Sequence, residues 1–84
     1  MIRLNLAEKT DLDAALWHIE TATKTQTSWE RDGDATTITI ESTLWGWVTG
    51  QLGRAERMLR ALIHDQTGPG TFKVTTRVML RFRF

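Results

Sequence analysis

Few residues in this chain carry groups suited to catalysis or metal binding. His18 and His64 stand on different predicted helices, and neither has a second histidine three or four positions away with which to share a metal ion. Each reads as a surface imidazole. Asp32 and Asp34 flank Gly33, but the later acidic ligands of a calcium loop do not follow, and a turn accounts for the triplet. Ser28 and Ser42 lie in no motif that would make a nucleophile. Gly68-Pro69-Gly70 has neither the glycine spacing nor the lysine of a phosphate loop. The chain has no cysteine, which removes disulfides, thiolate zinc sites and cysteine nucleophiles together. These residues predict no catalytic site, no metal and no cofactor, so an enzyme is not expected.

Two other groups of residues carry more information. The first is the stretch TLWGWVTGQLGRAER at 43–57, within the four tryptophans and no tyrosine of an 84-residue chain. Each glycine inside a helix costs about 1 kcal/mol against alanine, so three here need a reason. On one continuous helix Gly46, Gly50 and Gly53 share a narrow sector and make a bare groove, with Trp47, Arg54 and Met58 on a neighbouring edge suited to an interface. Alternatively Leu44 to Thr49 is a short strand, with Thr49 capping a helix that begins near Gly50, and the glycines need no partner. Both arrangements leave Trp45 and Trp47 near a surface, and Trp17 also sits off the apolar stripe of its own predicted helix. Tryptophan is enriched at interface hot spots, although a small domain also uses it to close the rim of a core.

The second group is basic. Residues 1–50 hold four basic and eight acidic side chains, whereas 51–84 hold seven basic and two acidic, giving −4 and +5. Lys73, Arg77, Arg81 and Arg83 project from one face of the last predicted strand, and Arg3 shares that face if the first strand is its neighbour. Such a stripe suits phosphates or an acidic protein surface, and it equally suits a solvated face that protects an edge strand. RNA-recognition domains of this architecture stack bases on aromatics of the two central strands, where this chain has Arg3, Asn5, Thr37 and Thr39. That departure leaves phosphate contact without base stacking.

The elements that position these residues are legible as periods. MIRLNL alternates apolar and polar residues as a half-buried strand does. Thr10, a capping hydroxyl, precedes Asp11, Leu12 and the acidic N3 residue Asp13 at the head of the series Leu12, Ala15, Leu16, Ile19 and Ala22, which predicts a helix over 11–23. TQTSWER and ATTITIES flank Asp32-Gly33-Asp34 as two antiparallel strands flank a turn. Leu44, Val48, Leu52, Ala55, Leu59 and Leu62 then repeat at helical spacing, from Thr43 until Gly68-Pro69-Gly70. Phe72, Val74, Thr76, Val78, Leu80, Phe82 and Phe84 occupy alternate positions to the C-terminus. The expected architecture is one α+β domain over 1–84, ferredoxin-like β-α-β-β-α-β, a four-stranded antiparallel sheet with two helices on one face. No run approaches the ~18 apolar residues of a membrane span and the N-terminus lacks a secretory signal, so the cytoplasm is the expected location and no membrane partner is expected.

In size and layout the chain resembles small phage-encoded inhibitors, the anti-CRISPR proteins among them. The resemblance covers the whole chain and rests on no shared motif, so no functional residue carries over from it. It implies binding to a bacterial nucleoprotein complex where that complex normally holds DNA, with the tryptophan edge or the basic face supplying contacts. The expected function is therefore a non-catalytic protein-binding module acting as an inhibitor, with contacts at Trp17, Trp45, Trp47, Arg54, Met58, Arg77 and Arg81. Two other readings stay open: a nucleic-acid-binding domain using Arg3, Lys73, Arg77, Arg81 and Arg83, and a homodimer built through the final strand RVMLRFRF.

Overall fold

The segment ATTITIEST places Thr36, Ile38, Ile40 and Ser42 on one side of a strand and Thr37, Thr39 and Glu41 on the other, and this strand is the centre of the molecule. In the computed structural model, which describes residues 4–79, the order is α1 (Lys9–Thr23), β1 (Gln26–Asp32), β2 (Ala35–Thr43), α2 (Leu44–Val48), α3 (Gln51–Asp65) and β3 (Thr71–Met79). The three strands form one sheet in the order β1-β2-β3. β1 and β2 are an antiparallel hairpin whose ends meet at Asp32 and Ala35, and Gly33 holds φ 60° at the first central turn position, the place where a type II′ turn requires it.

Two expectations fail here. The sheet is not four-stranded and antiparallel, because β3 pairs parallel to β2, from Thr71 beside Ala35 to Met79 beside Thr43. The chain leaves β2, crosses back through α2 and α3, and re-enters the sheet in the same direction, as a β-α-β crossover does. The described part of the first predicted strand is likewise not a strand, and residues 1–3 lie outside the described range. Asn5 accepts from the Ala7 amide through its side chain (3.0 Å) and from the Glu8 amide through its carbonyl (3.1 Å), which turns the chain directly into α1. The Leu4 carbonyl takes the Thr67 amide (2.8 Å), and the Leu6 amide reaches Gln66 Oε1 (3.3 Å). Short-range turn chemistry outcompetes the weak alternation of this segment.

Both long helices lie on the side of the sheet that carries the even-numbered residues of β2, α1 against β1 and α3 against β2 and β3. Leu12, Ala15, Leu16 and Ile19 of α1, Leu52, Ala55 and Leu59 of α3, Ile38, Ile40 and Leu6 make the buried core. Helix α1 starts at Lys9, two residues ahead of the expected position, and Thr10 does not cap it; it ends with Lys24 in the left-handed conformation. Arg31 ties the entry of the chain to the hairpin. Its guanidinium donates to the carbonyls of Ala7 (2.8 Å) and Leu6 (3.2 Å), its Nε donates to Thr36 Oγ1 (3.1 Å), and it lies 5.1 Å from the centre of the Trp29 ring. Trp29 Nε1 in turn donates to Asp13 of α1 (3.1 Å).

Two glycines separate requirement from tolerance. Gly70 holds φ 107° where β3 begins, and a Cβ there would stand 2.7 Å from the Asp34 carbonyl oxygen that accepts the Thr71 amide. Gly53 has open space around it within α3. Gly70→Ala is expected to cost about 1–3 kcal/mol, and Gly53→Ala to gain about 0.5–1 kcal/mol. Urea midpoints of the two variants check both signs.

Candidate functional site

Thr43 ends β2 and caps α2, its Oγ1 accepting from the Gly46 amide (3.1 Å). Helix α2 closes after five residues. The Thr49 amide bonds to the Trp45 carbonyl (2.9 Å), the Gly50 amide to that of Trp47 (3.1 Å), and Thr49 Oγ1 also donates to the Trp45 carbonyl (2.8 Å). Gly50 then takes φ 85°, and its carbonyl accepts from the Arg54 amide (3.0 Å) to start α3. Leu44 to Thr49 is thus neither a strand nor the head of a continuous helix. The Gly46-Gly50-Gly53 groove does not form, since Gly50 lies in the break and Gly46 faces Ser42, whose Cβ would stand 3.1 Å from a Cβ added at Gly46.

The break turns α2 away from the register of α3. Leu44 and Val48, expected on the core stripe, are 50% and 65% exposed, beside Trp45 at 75% and Trp47 at 57%. No residue of α2 is buried. Burying one such side chain fully is worth about 1.5–3 kcal/mol, so four left outside mark a surface that folding alone does not use.

The expected contact residues are distributed unevenly around this knuckle. Trp47 and Arg77 are brought together: they line one open pocket of about 170 Å³ with Leu52, Gly53, Glu56, Thr76 and Val78. Trp45 lines a second, of about 240 Å³, with Thr23, Lys24 and Gln51. Arg54 is exposed early in α3, and Met58 is half-buried against the core rather than presented to solvent. Trp17, 67% exposed on α1, lines neither pocket. Arg3, Arg81 and Arg83 lie outside the described residues. Along α3, Arg60 pairs with Glu56 (3.0 Å), and among the described residues Arg54 and Arg57 have no carboxylate within salt-bridge reach. Leu44 and Val48 are exposed apolar residues that periodicity had placed on the core stripe. The signal that could have found them is Thr49-Gly50, which ends one helix before the next begins.

The basic face is interrupted. Register sets Arg77 in a row with Glu41 and Gln26, and Lys73 in a row with Thr37 and Glu30, with Thr75, Thr39 and Ser28 between. Carboxylates and hydroxyls share the open side of the sheet with the two cations, and no aromatic side chain stands there among the described residues. A third pocket, about 250 Å³ at the hairpin end, is lined by Arg31, Asp34, Pro69, Gly70 and Phe72 among others, and the Arg31 guanidinium there is already held by backbone carbonyls. Among the described residues no group of three or more histidines and carboxylates is placed to hold a metal ion, and no buried side-chain nitrogen or oxygen lacks a hydrogen-bond partner. No described helix is long and apolar enough to cross a membrane. No family model, curated protein or solved structure matches the chain.

Because α2 contributes nothing to the core, Leu44→Ser and Val48→Ser should each change unfolding free energy by less than about 0.5 kcal/mol. Leu52→Ala, four residues further on in the same apolar series, should cost about 2–5 kcal/mol. Denaturant titration of the three variants checks the contrast.

Proposed function

We propose that this chain is a non-catalytic protein-binding module that presents α2 to its partner and acts by occupying a surface of a larger bacterial assembly, as a small inhibitor does. The observation that carries this reading is a helix of five residues with none buried, on which Leu44, Trp45, Trp47 and Val48 are all at least half exposed. Large aromatic side chains with neighbouring arginines are the composition from which binding hot spots are built; Arg77 shares a pocket with Trp47, and Arg54 lies exposed in the first turn of α3, its amide bonded to Gly50. A contact through rigid tryptophans needs little ordering on binding, because a capped helix already holds them. Direct phosphate binding by the sheet face has less support, since Glu30 and Glu41 share its rows with Lys73 and Arg77 and would repel a polyanion.

Capture from a bacterial lysate with the tagged chain, with and without nuclease, tests the proposal when repeated with Trp45→Ala and Trp47→Ala. A protein complex retained after nuclease by the unaltered chain and lost by the two variants is the expected outcome, each substitution weakening binding by more than about 1 kcal/mol at unchanged stability. Retention of nuclease-sensitive material alone, or equal capture by both variants, would remove α2 as the contact surface.

A further inference from the structure

We propose that the partner binds this module as an extended segment in which acidic and apolar side chains alternate, adding to β3 as a fourth strand and lodging an apolar side chain beside Trp47. The inference rests on the reading of α2 as a contact surface and says what chemistry that surface takes.

The edge of the sheet supplies the backbone half of the site. The Thr71 amide bonds to the Asp34 carbonyl, so the odd-numbered residues of β3 direct their N–H and C=O groups toward β2. By alternation those of Phe72, Val74, Thr76 and Val78 point to the other side, where among the described residues no strand pairs. The strand is nine residues long and contains no proline to block addition.

The side chains say what would be added. Ile38 and Ile40 of β2 are fully buried, whereas Phe72, Val74 and Val78 of β3, on the same side of the sheet, are only partly buried, as are Met58, Leu62 and Ile63 of α3. One more strand with apolar residues on that face would complete their cover. The pocket that joins β3 to Trp47 passes Gly53, where no Cβ fills the space, so it can receive a side chain from such a strand. On the opposite face the neighbours of the added strand would be Lys73 and Arg77, both exposed, which favours carboxylates there. The same two cations oppose a symmetric dimer: an antiparallel pairing of two β3 strands centred on Thr75 sets Lys73 of each copy against Arg77 of the other.

The test uses the full chain with a blocked peptide alternating glutamate and valine, and its lysine-valine counterpart, followed by amide hydrogen exchange and by affinity. In the free protein the amides of Phe72, Val74, Thr76 and Val78 should exchange faster than those of Lys73, Thr75 and Arg77. The acidic peptide should slow the first set, and the basic one should bind at least about tenfold more weakly. Thr76→Pro removes one outward donor without touching the β2 ladder and should weaken the acidic peptide by about tenfold or more, with Thr76→Ser as the unaffected control. The double charge reversal K73E/R77E should invert the peptide preference, and it stands as the second variant if the proline alters the fold by circular dichroism. Outward amides already protected in the free protein would mean that the edge is filled by the chain itself, and would overturn the proposal. Equal binding of both peptides would overturn it, as would concentration-dependent growth in light scattering, which would show that a second copy of the chain associates in place of the acidic segment. If lysate capture fails with Trp45→Ala and Trp47→Ala yet survives Thr76→Pro and K73E/R77E, strand addition is wrong and the α2 surface stands. If capture survives the tryptophan variants, the α2 reading itself is wrong.

Discussion

Gly50 holds the backbone at φ 85°, a conformation that costs an L side chain about 1–2 kcal/mol and costs glycine almost nothing. Its amide closes the last turn of α2 and its carbonyl opens the first turn of α3, so one residue both ends and begins a helix. Without that reversal Leu44, Val48, Leu52, Ala55 and Leu59 would form one continuous stripe and the whole segment would lie against the sheet. With it, Leu52, Ala55 and Leu59 stay in the core and the preceding turn swings free. The exposure of Leu44 and Val48, the pockets beside Trp45 and Trp47 and the proximity of Trp47 to Arg77 all depend on where this left-handed residue falls.

The parallel return of β3 is the other organising feature, and it depends on the same crossover. A strand that re-enters beside β2 in the same direction needs a connection longer than a hairpin, and α3, amphipathic and fifteen residues long, provides it while covering the core face. The entry to β3 is pinned by Gly70, which alone among residue types allows the approach to the Asp34 carbonyl that accepts the first ladder bond. Because β2 has neighbours on both sides its isoleucines are sealed, and the imperfect cover passes to β3. The partly buried rank of Phe72, Val74 and Val78 is a consequence of strand order rather than of residue type.

Charge and apolar exposure then meet on one side of the molecule. The sequence halves differ by nine charges, −4 against +5, and the fold does not simply pair them off. Glu30 and Glu41 reach the rows of Lys73 and Arg77, but Arg54 and Arg57 of α3 have no carboxylate partner among the described residues, and Arg77 shares a pocket with Trp47. Tryptophan and arginine in one place can bury area and satisfy carboxylates together, which is the physical basis of the protein-binding reading proposed for α2.

Local chemistry, read from the residues in order, was enough for a good part of this protein. The Leu12-Ala15-Leu16-Ile19 stripe, the hairpin around Gly33, the core half of α3 and the alternation of the last strand are all recorded in periods of 3.6 and 2, which are properties of neighbouring residues. That Trp45 and Trp47 lie near a surface was legible for the same reason, since both the helical and the extended reading of 44–49 leave them there, although core closure was an equal use for each. Tertiary structure decided three other matters. Period 2 is identical for parallel and antiparallel strands, so the direction of β3 came from the crossover and not from its residues. The apolar spacing that carries Leu44 and Val48 into the helical stripe is cancelled by one dihedral at Gly50. The alternation of Leu4 and Leu6 yields to the side chain of Asn5 and to Gln66 and Thr67, residues more than fifty positions away that only the folded chain brings near.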